Sequence, residues 1–261
     1  MLNVTLPHSF PRLSPARLSS VPGLGNEKLI AQRACTSDSS ARVDASMEQT
    51  HEDKLGELTA SLLTMASHAE RAVNHAVQAL VNRDYDLAIA TNQKDQILDR
   101  FEVEIDEMAI NLLTSLLSPG DVRLVTVTMK ISQNLERIGD EAAKVAKRTR
   151  DLCQEPPIKV NVDLPRMASL TLNMLKRALD SFVHRDSAAA RAIIPGDAEV
   201  DALNKDITRE LVRHMTANPE AIPGCLNLMI VSKSLERIAD HATNVAEEVV
   251  YLCEAQDIRH T

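Results

Sequence analysis

The chain has 261 residues, of which 44% are hydrophobic and only 2% aromatic, and its net charge is −8 at pH 7. This composition is typical of packed helices, and the acidic balance with few aromatic rings argues against non-specific nucleic-acid binding. No run of about 18 apolar residues exists, so no membrane span is predicted, and the absence of a C-x-x-C pair among four cysteines favours a reducing intracellular setting.

The first 46 residues differ from the rest of the chain. They are rich in Pro, Ser and Gly, include LPHSFPRLSPARLSSVPGLG, and carry five basic residues against three acidic ones. Because they show neither a helical nor a strand period, we expect residues 1–46 to be disordered. An organelle transit peptide has a similar composition. We favour the alternative of an over-long reading frame, because helical periodicity begins after Met47.

Two helical runs follow. Apolar residues recur at intervals of three and four over residues 55–80, which predicts a helix with one apolar face that ends near residues 82–84. A second run extends over about residues 85–117. The sequence Ser118-Pro119-Gly120 then breaks it, because proline cannot continue a helix.

A third helix completes the first unit. Asp121 is expected to cap its N-terminus, and the helical pattern continues to about Leu152. Three helices joined by short turns predict an antiparallel three-helix bundle over residues 47–153. The proline-containing stretch QEPPIKVNVDLP predicts an extended linker over residues 154–165.

The remainder of the chain repeats this unit. LVNRD, which begins at Leu80, corresponds to FVHRD, which begins at Phe182, at an offset of 102 residues. LERIGDEAAKVAKR, from Leu135, recurs as LERIADHATNVAEE, from Leu235, at an offset of 100. Such self-similarity indicates a tandem duplication, and it predicts a second three-helix bundle over residues 166–261.

Both units carry carboxylates spaced four residues apart, which places each pair on one face of a helix. In an antiparallel hairpin, the pairs on the second and third helices lie at similar distances, roughly 25–35 Å, from the connecting turn. Each unit therefore places four carboxylates at the same level along the axis of its bundle. They are Asp95, Asp99, Glu136 and Asp140 in the first unit, and Asp197, Asp201, Glu236 and Asp240 in the second.

Clustered carboxylates repel one another unless a cation offsets their charge. Arg137 and Arg237 follow the two glutamates but point about 100° around the helix. A metal ion is the other counter-charge, and oxygen ligands suit divalent cations such as Mg²⁺, Ca²⁺ or Mn²⁺, and also iron. The alternative is a solvated acidic face, although the occurrence of the pattern in both units favours a site.

No motif for an established catalytic centre is present. The chain has no P-loop, no G-x-G-x-x-G and no H-E-x-x-H, and its single Glu-x-x-His, Glu48 to His51, lies before the apolar helical period that begins at residue 55, which argues against a di-iron oxidase. The leading hypothesis is a non-enzymatic regulator that acts through protein contacts. The alternative is a metal-dependent enzyme or a metal store, and an enzyme of this kind would need a general base beside the cluster that the sequence does not show.

The two phrases ERIGDEAAKVA and ERIADHATNVA, each closing a three-helix unit, resemble the motif of the PhoU family of phosphate-uptake regulators. The resemblance implies an all-α fold of six helices in two bundles and a homodimer in the bacterial cytoplasm. It also implies negative regulation of phosphate uptake and of the phosphate-starvation response. The implied partners are the ATP-hydrolysing subunit of the phosphate transporter and a phosphate-sensing histidine kinase.

The resemblance further implies that the motif carries multinuclear metal clusters, iron among them, in some members, with the eight carboxylates above as candidates here. The first motif departs from the second at Lys144, where the second has Asn244, so the first site is expected to bind metal differently or not at all.

Pro195-Gly196 interrupts the second unit just before Asp197, where we expect a helix to begin.

Overall fold

The computed structural model describes residues 38–92, 96–115 and 117–259, and all regular structure in these ranges is helical. The first bundle contains α1 (Asp38–Asn82), α2 (Tyr85–Asn92), α3 (Gln96–Leu113) and α4 (Pro119–Cys153). The second contains α5 (Leu164–His184), α6 (Ser187–Arg191), α7 (Gly196–Ala217), a short 3-10 helix (Pro219–Ala221) and α8 (Ile222–Glu254). In the second bundle the middle helix is broken into a short segment, α6, and a long one, α7. The predicted all-α fold of two tandem three-helix bundles is confirmed.

Several boundaries differ from those expected. Helix α1 already begins at Asp38, so residues 38–46 of the segment predicted to be disordered are helical, whereas residues 1–37 lie outside the described residues. The second bundle begins with α5 at Leu164, where the Asp163 side chain accepts a hydrogen bond from the backbone N–H of Arg166 (3.3 Å).

The start of α4 also differs in detail. Its N-cap is Ser118, and Asp121 occupies the third helical position instead of the cap. The Ser118 Oγ atom accepts a hydrogen bond from the backbone N–H of Asp121, and the Asp121 carboxylate accepts one from the backbone N–H of Ser118, both at 3.2 Å. This capping box satisfies two N–H groups near the start of α4.

The repeated R-D turn ends the first helix of each bundle in the same way. Arg83 and Arg185 both have left-handed backbones, with φ of 52° and 49°. The Arg83 guanidinium donates hydrogen bonds to the carbonyls of Leu152 (2.5 Å) and Glu155 (2.6 Å). These bonds attach the end of α1 to the end of α4, which offsets the cost of the strained turn.

The two bundles pack against each other through α4 and α8, which form the most extensive helix pair in the described chain. The pair is antiparallel, because Lys130 contacts Glu248 whereas Glu141, further along α4, contacts Arg237, which lies earlier on α8. The apolar residues of the repeated motif are fully buried in one continuous core, namely Leu135, Ile138 and Ala142 with Leu235, Ile238 and Ala242. None of the described helices combines the length and the apolar run that a membrane crossing requires.

Candidate functional site

The structure brings the four carboxylates of the second bundle together. Helix α7 begins at Gly196, as the Pro-Gly break predicts, so Asp197 lies in its first turn and faces α8. Burial, together with the negative charges of Asp240, Asp201 and Glu236, raises the pKa of Asp197 to about 6. In its protonated form Asp197 can donate a hydrogen bond to the Asp240 carboxylate, whose own pKa is raised, first by burial and then by Asp201.

Two carboxylate oxygens in this second cluster are buried without a hydrogen-bond partner, Oδ1 of Asp197 and Oε2 of Glu236. The Glu236 side chain is only 10% exposed. Its Oε1 atom accepts a hydrogen bond from Lys233 Nζ (2.6 Å), and the same ammonium group lies 2.5 Å from Oε2 without forming a second hydrogen bond. Two lysines thus border the cluster, because Lys205 Nζ lies 3.7 Å from Asp201 Oδ2.

The first bundle assembles a comparable cluster from three of its four predicted members. Burial raises the pKa of Glu136, and the nearby charges of Asp140 and, more weakly, Asp99 raise it further. Asp95 lies outside the described residues. The structure adds Glu102, whose pKa is raised by burial and by the surrounding aspartates.

Glu102 is not among the predicted site residues, because the predicted carboxylates are those that occur in both units. The position equivalent to Glu102 is Asn204, whose Oδ1 atom accepts a hydrogen bond from Ser232 Oγ (2.7 Å). The signal in the sequence is the spacing of Glu102, three residues after Asp99, which places the two carboxylates on the same helix face.

Arg137 neutralises part of the first cluster. Its Nε atom lies 3.2 Å from Glu136 Oε2, and its Nη1 atom lies 3.9 Å from Asp140 Oδ2. Helix geometry alone directs Arg137 about 100° away from Glu136, so spacing did not predict this contact. The long, exposed side chain nevertheless reaches back along the helix surface, as flexible cationic side chains do.

Within the ranges that the structure describes, no group of three or more His, Cys, Asp or Glu side chains is arranged to hold a metal ion. The chemistry of the second cluster still fits a hard cation, because it contains four carboxylates and the Oδ1 atom of Asp197 is buried without a hydrogen-bond partner. Cationic side chains already contact two carboxylates in each cluster, Arg137 in the first and Lys205 and Lys233 in the second.

A separate polar network joins the bundles between the two clusters. Glu141 is buried, and its Oε1 atom accepts hydrogen bonds from Lys144 Nζ (2.9 Å) and Arg237 Nη1 (3.1 Å). Burial alone would raise the pKa of Glu141, but these hydrogen bonds and one from Ser234 lower it overall. His241, at the position equivalent to Glu141, has its pKa lowered mainly by burial. These two positions therefore belong to the interface and not to the carboxylate clusters.

Comparison with known proteins gives consistent matches. The family model described as PhoU domain matches the chain twice, over residues 62–149 and 164–249. The phosphate-specific transport system accessory protein PhoU homolog of Pseudomonas aeruginosa is 37% identical over 216 residues, which is 82% of this chain and 89% of that protein. The PhoU homolog 2 of Thermotoga maritima is 31% identical over 212 residues, 80% of this chain and 90% of that protein.

Solved structures agree with these matches. The crystal structure of PhoU from Pseudomonas aeruginosa superposes with a TM-score of 0.76 at 37% identity and covers 78% of this chain and 99% of that chain. The phosphate transport system regulatory protein PhoU from Streptococcus pneumoniae gives a TM-score of 0.73 at 27% identity, with 80% of this chain and 99% of that chain covered.

Proposed function

This chain belongs to the PhoU family, and we propose that it is an accessory protein that regulates phosphate uptake. The observation that carries the proposal is the pair of PhoU-domain matches, together with relatives named as accessory proteins of the phosphate-specific transport system. These names favour a regulatory role over the alternative of a metal-dependent enzyme.

In the finer form of the proposal, the chain acts in the cytoplasm as a homodimer. When phosphate is abundant, it restrains the transporter and silences the phosphate-starvation response. It does so by contacting the ATP-hydrolysing subunit of the transporter and a phosphate-sensing histidine kinase. The net charge of −8 supports recognition of basic partner surfaces, because complementary charge accelerates encounter and disfavours wrong partners.

The test is a phosphate-starvation reporter, such as secreted alkaline phosphatase activity, in the source organism grown with abundant phosphate. Deletion of the gene should raise reporter activity, and expression of the full chain should silence it again. Complementation with residues 47–261 tests in the same strain whether the preceding segment is needed. Unchanged reporter activity after deletion, with no second copy of the gene present, would rule out negative regulation.

We propose in addition that the second cluster binds a divalent or iron cation through Asp197, Asp201, Glu236 and Asp240. The support is chemical: burial, and after it the neighbouring carboxylates, raise the pKa values of Asp197 and Asp240, and a bound cation would stabilise the ionised carboxylates against both effects. The protein's own contribution is to hold these carboxylates on α7 and α8 and to shield them partly from water.

The metal proposal is tested by elemental analysis of the purified full chain. The double variant Glu236→Ala with Asp240→Ala should lose the metal that the parent retains. A matched control, Asp206→Ala with Glu210→Ala, removes two exposed carboxylates from α7 and should leave the metal content unchanged. Equal metal content in all three proteins would remove the site assignment.

A further inference from the structure

The outer face of α3 carries an exposed apolar stripe. Val103, Ile110 and Leu113 are 59%, 57% and 41% exposed. Their spacing places them on one side of the helix over about 15 Å. Among the described elements α3 packs only against α1 and α4, so no described helix covers the stripe. Large apolar side chains exposed together on one face and rimmed by polar residues are typical of an interaction site.

Carboxylates border this α3 stripe. Helix α3 contains five acidic residues and one arginine, a net charge of −4. Glu104 and Glu107 lie on one side of the stripe and Glu102 on the other, while Asp106 lies on the stripe face itself, between Ile110 and Leu113 in direction around the helix. None of these four carboxylates forms an ion pair with another described residue. The Oδ1 atom of Asp106 is buried without a hydrogen-bond partner.

Helix α7 occupies the equivalent place in the second bundle but has a different surface. Over the equivalent 18 positions, residues 198–215, it carries four acidic and three basic residues, a net charge of −1. Its basic residues stand where α3 has Val103, Glu107 and Asn111, and each pairs with an acid on the same helix. The pairs are Lys205 with Asp201 (3.7 Å), Arg209 with Asp206 (2.7 Å) and Arg213 with Glu210 (2.9 Å).

Helix α7 takes the equivalent place in its bundle with a surface whose acids and bases pair with one another. The fold therefore does not require the apolar and acidic surface of α3. We propose that the α3 stripe is the docking site for a basic amphipathic segment of a partner protein. The partner's apolar side chains would cover the stripe, and its lysines or arginines would face the bordering carboxylates. A second copy of this chain is a poor occupant, since a twofold contact would bring two helices of charge −4 together.

This inference rests on the proposed function, for which it supplies the contact surface. The first experiment places the photo-crosslinker benzoylphenylalanine at Val103 of the full chain in the source organism with abundant phosphate. Mass spectrometry then identifies the cross-linked peptide. We expect a partner segment with apolar residues at helical spacing flanked by Lys or Arg. The crosslinker at Val212, which is 47% exposed on α7, is the matched control and should not capture that segment.

Three outcomes would overturn the inference: no adduct at Val103, an adduct with a second copy of this chain, or an adduct with a segment that is not basic and amphipathic. A charge-reversal variant makes the test quantitative. Glu104→Lys with Glu107→Lys should reduce the adduct yield about tenfold, because electrostatic steering is lost. The control Asp206→Lys with Glu210→Lys makes the same change in net charge on α7 and should leave the yield unchanged, while thermal unfolding verifies that both variants fold.

The reporter strain separates the two proposals. If the parent chain silences the reporter but the α3 charge reversal leaves the adduct yield unchanged, the docking inference is wrong and the regulatory function stands. If deleting the gene leaves the reporter unchanged while the Val103 adduct forms with a basic amphipathic segment, the surface is a docking site and the regulatory function is wrong.

Discussion

Substitution of Gly139 by alanine tests why the repeated motif contains glycine in one copy and alanine in the other. Gly139 on α4 faces Leu98 on α3, and a Cβ atom added to Gly139 would lie 2.2 Å from Leu98 Cδ1. Non-bonded carbon atoms require about 3.5–4.0 Å. In the second bundle the equivalent positions are Ala239 and Val200, both fully buried. The first bundle thus pairs glycine with leucine, and the second pairs the larger alanine with the smaller valine.

The expected effect of Gly139→Ala combines two terms of opposite sign. Overpacking of a buried site costs about 1–3 kcal/mol, whereas alanine stabilises a helix interior by about 1 kcal/mol relative to glycine. The single variant should therefore lose about 1 kcal/mol. Leu98→Val alone removes one methylene group and should cost about 1 kcal/mol. The double variant reproduces the pairing of the second bundle, so it should regain the parent's stability, with a coupling of about 2 kcal/mol.

The assay is urea unfolding of the parent, the two single variants and the double variant. The slope of the unfolding free energy against urea concentration should be the same in all four, which verifies that the unfolding transition is unchanged. A loss of about 1 kcal/mol should lower Tm by about 2–4 °C in a chain of this size. Gly120→Ala is the control, since its Cβ would meet only Ser118 Oγ at 3.6 Å, an ordinary contact. Additive effects of Gly139→Ala and Leu98→Val would refute the reasoning, because they would mean that the two positions do not share one volume.

Further substitutions test the interface and the helix ends. Glu141→Gln should destabilise the chain by about 2 kcal/mol at pH 7, because Arg237 loses its charged partner. Since the fold lowers the pKa of Glu141, the full loss should be seen above the ordinary glutamate pKa of 4.5, and the loss should shrink as the pH falls below 4.5. Urea titrations of parent and variant at pH 7 and pH 4 measure both. Arg83→Ala removes two hydrogen bonds to backbone carbonyls and should cost about 2 kcal/mol in the same assay. Ser118→Ala breaks the capping box of α4, for which we expect a loss of about 1 kcal/mol in thermal unfolding. Residues 47–261 alone should unfold at the same temperature as the full chain; a markedly lower Tm would show that the preceding segment contributes to the fold.

Local patterns predicted the helices well, because periodicity and helix-breaking residues act over a few neighbours. The Pro195-Gly196 break correctly predicted that α7 begins just before Asp197. The cap of α4 was assigned to the wrong residue, since Ser118 and Asp121 both suit a helix start and only the backbone conformation distinguishes them.

The contents of the clusters were less predictable. Spacing placed Glu136 and Asp140 on one face, but it did not predict that Arg137 bends back to contact both. Glu102 joins the first cluster through the packing of α3 against α4, and it has no repeated partner in the sequence that would draw attention to it.

The sequence by itself determined the helical class, the duplication and the carboxylate pairs, because each follows from regular spacing along one chain. Only the tertiary structure decided which charges meet. The contact of Glu141 with Arg237 joins residues 96 positions apart, and it exists because α4 and α8 pack antiparallel at the centre of the molecule. The exposed stripe on α3 was likewise decided by packing, since burial of a side chain depends on which neighbouring helices cover it.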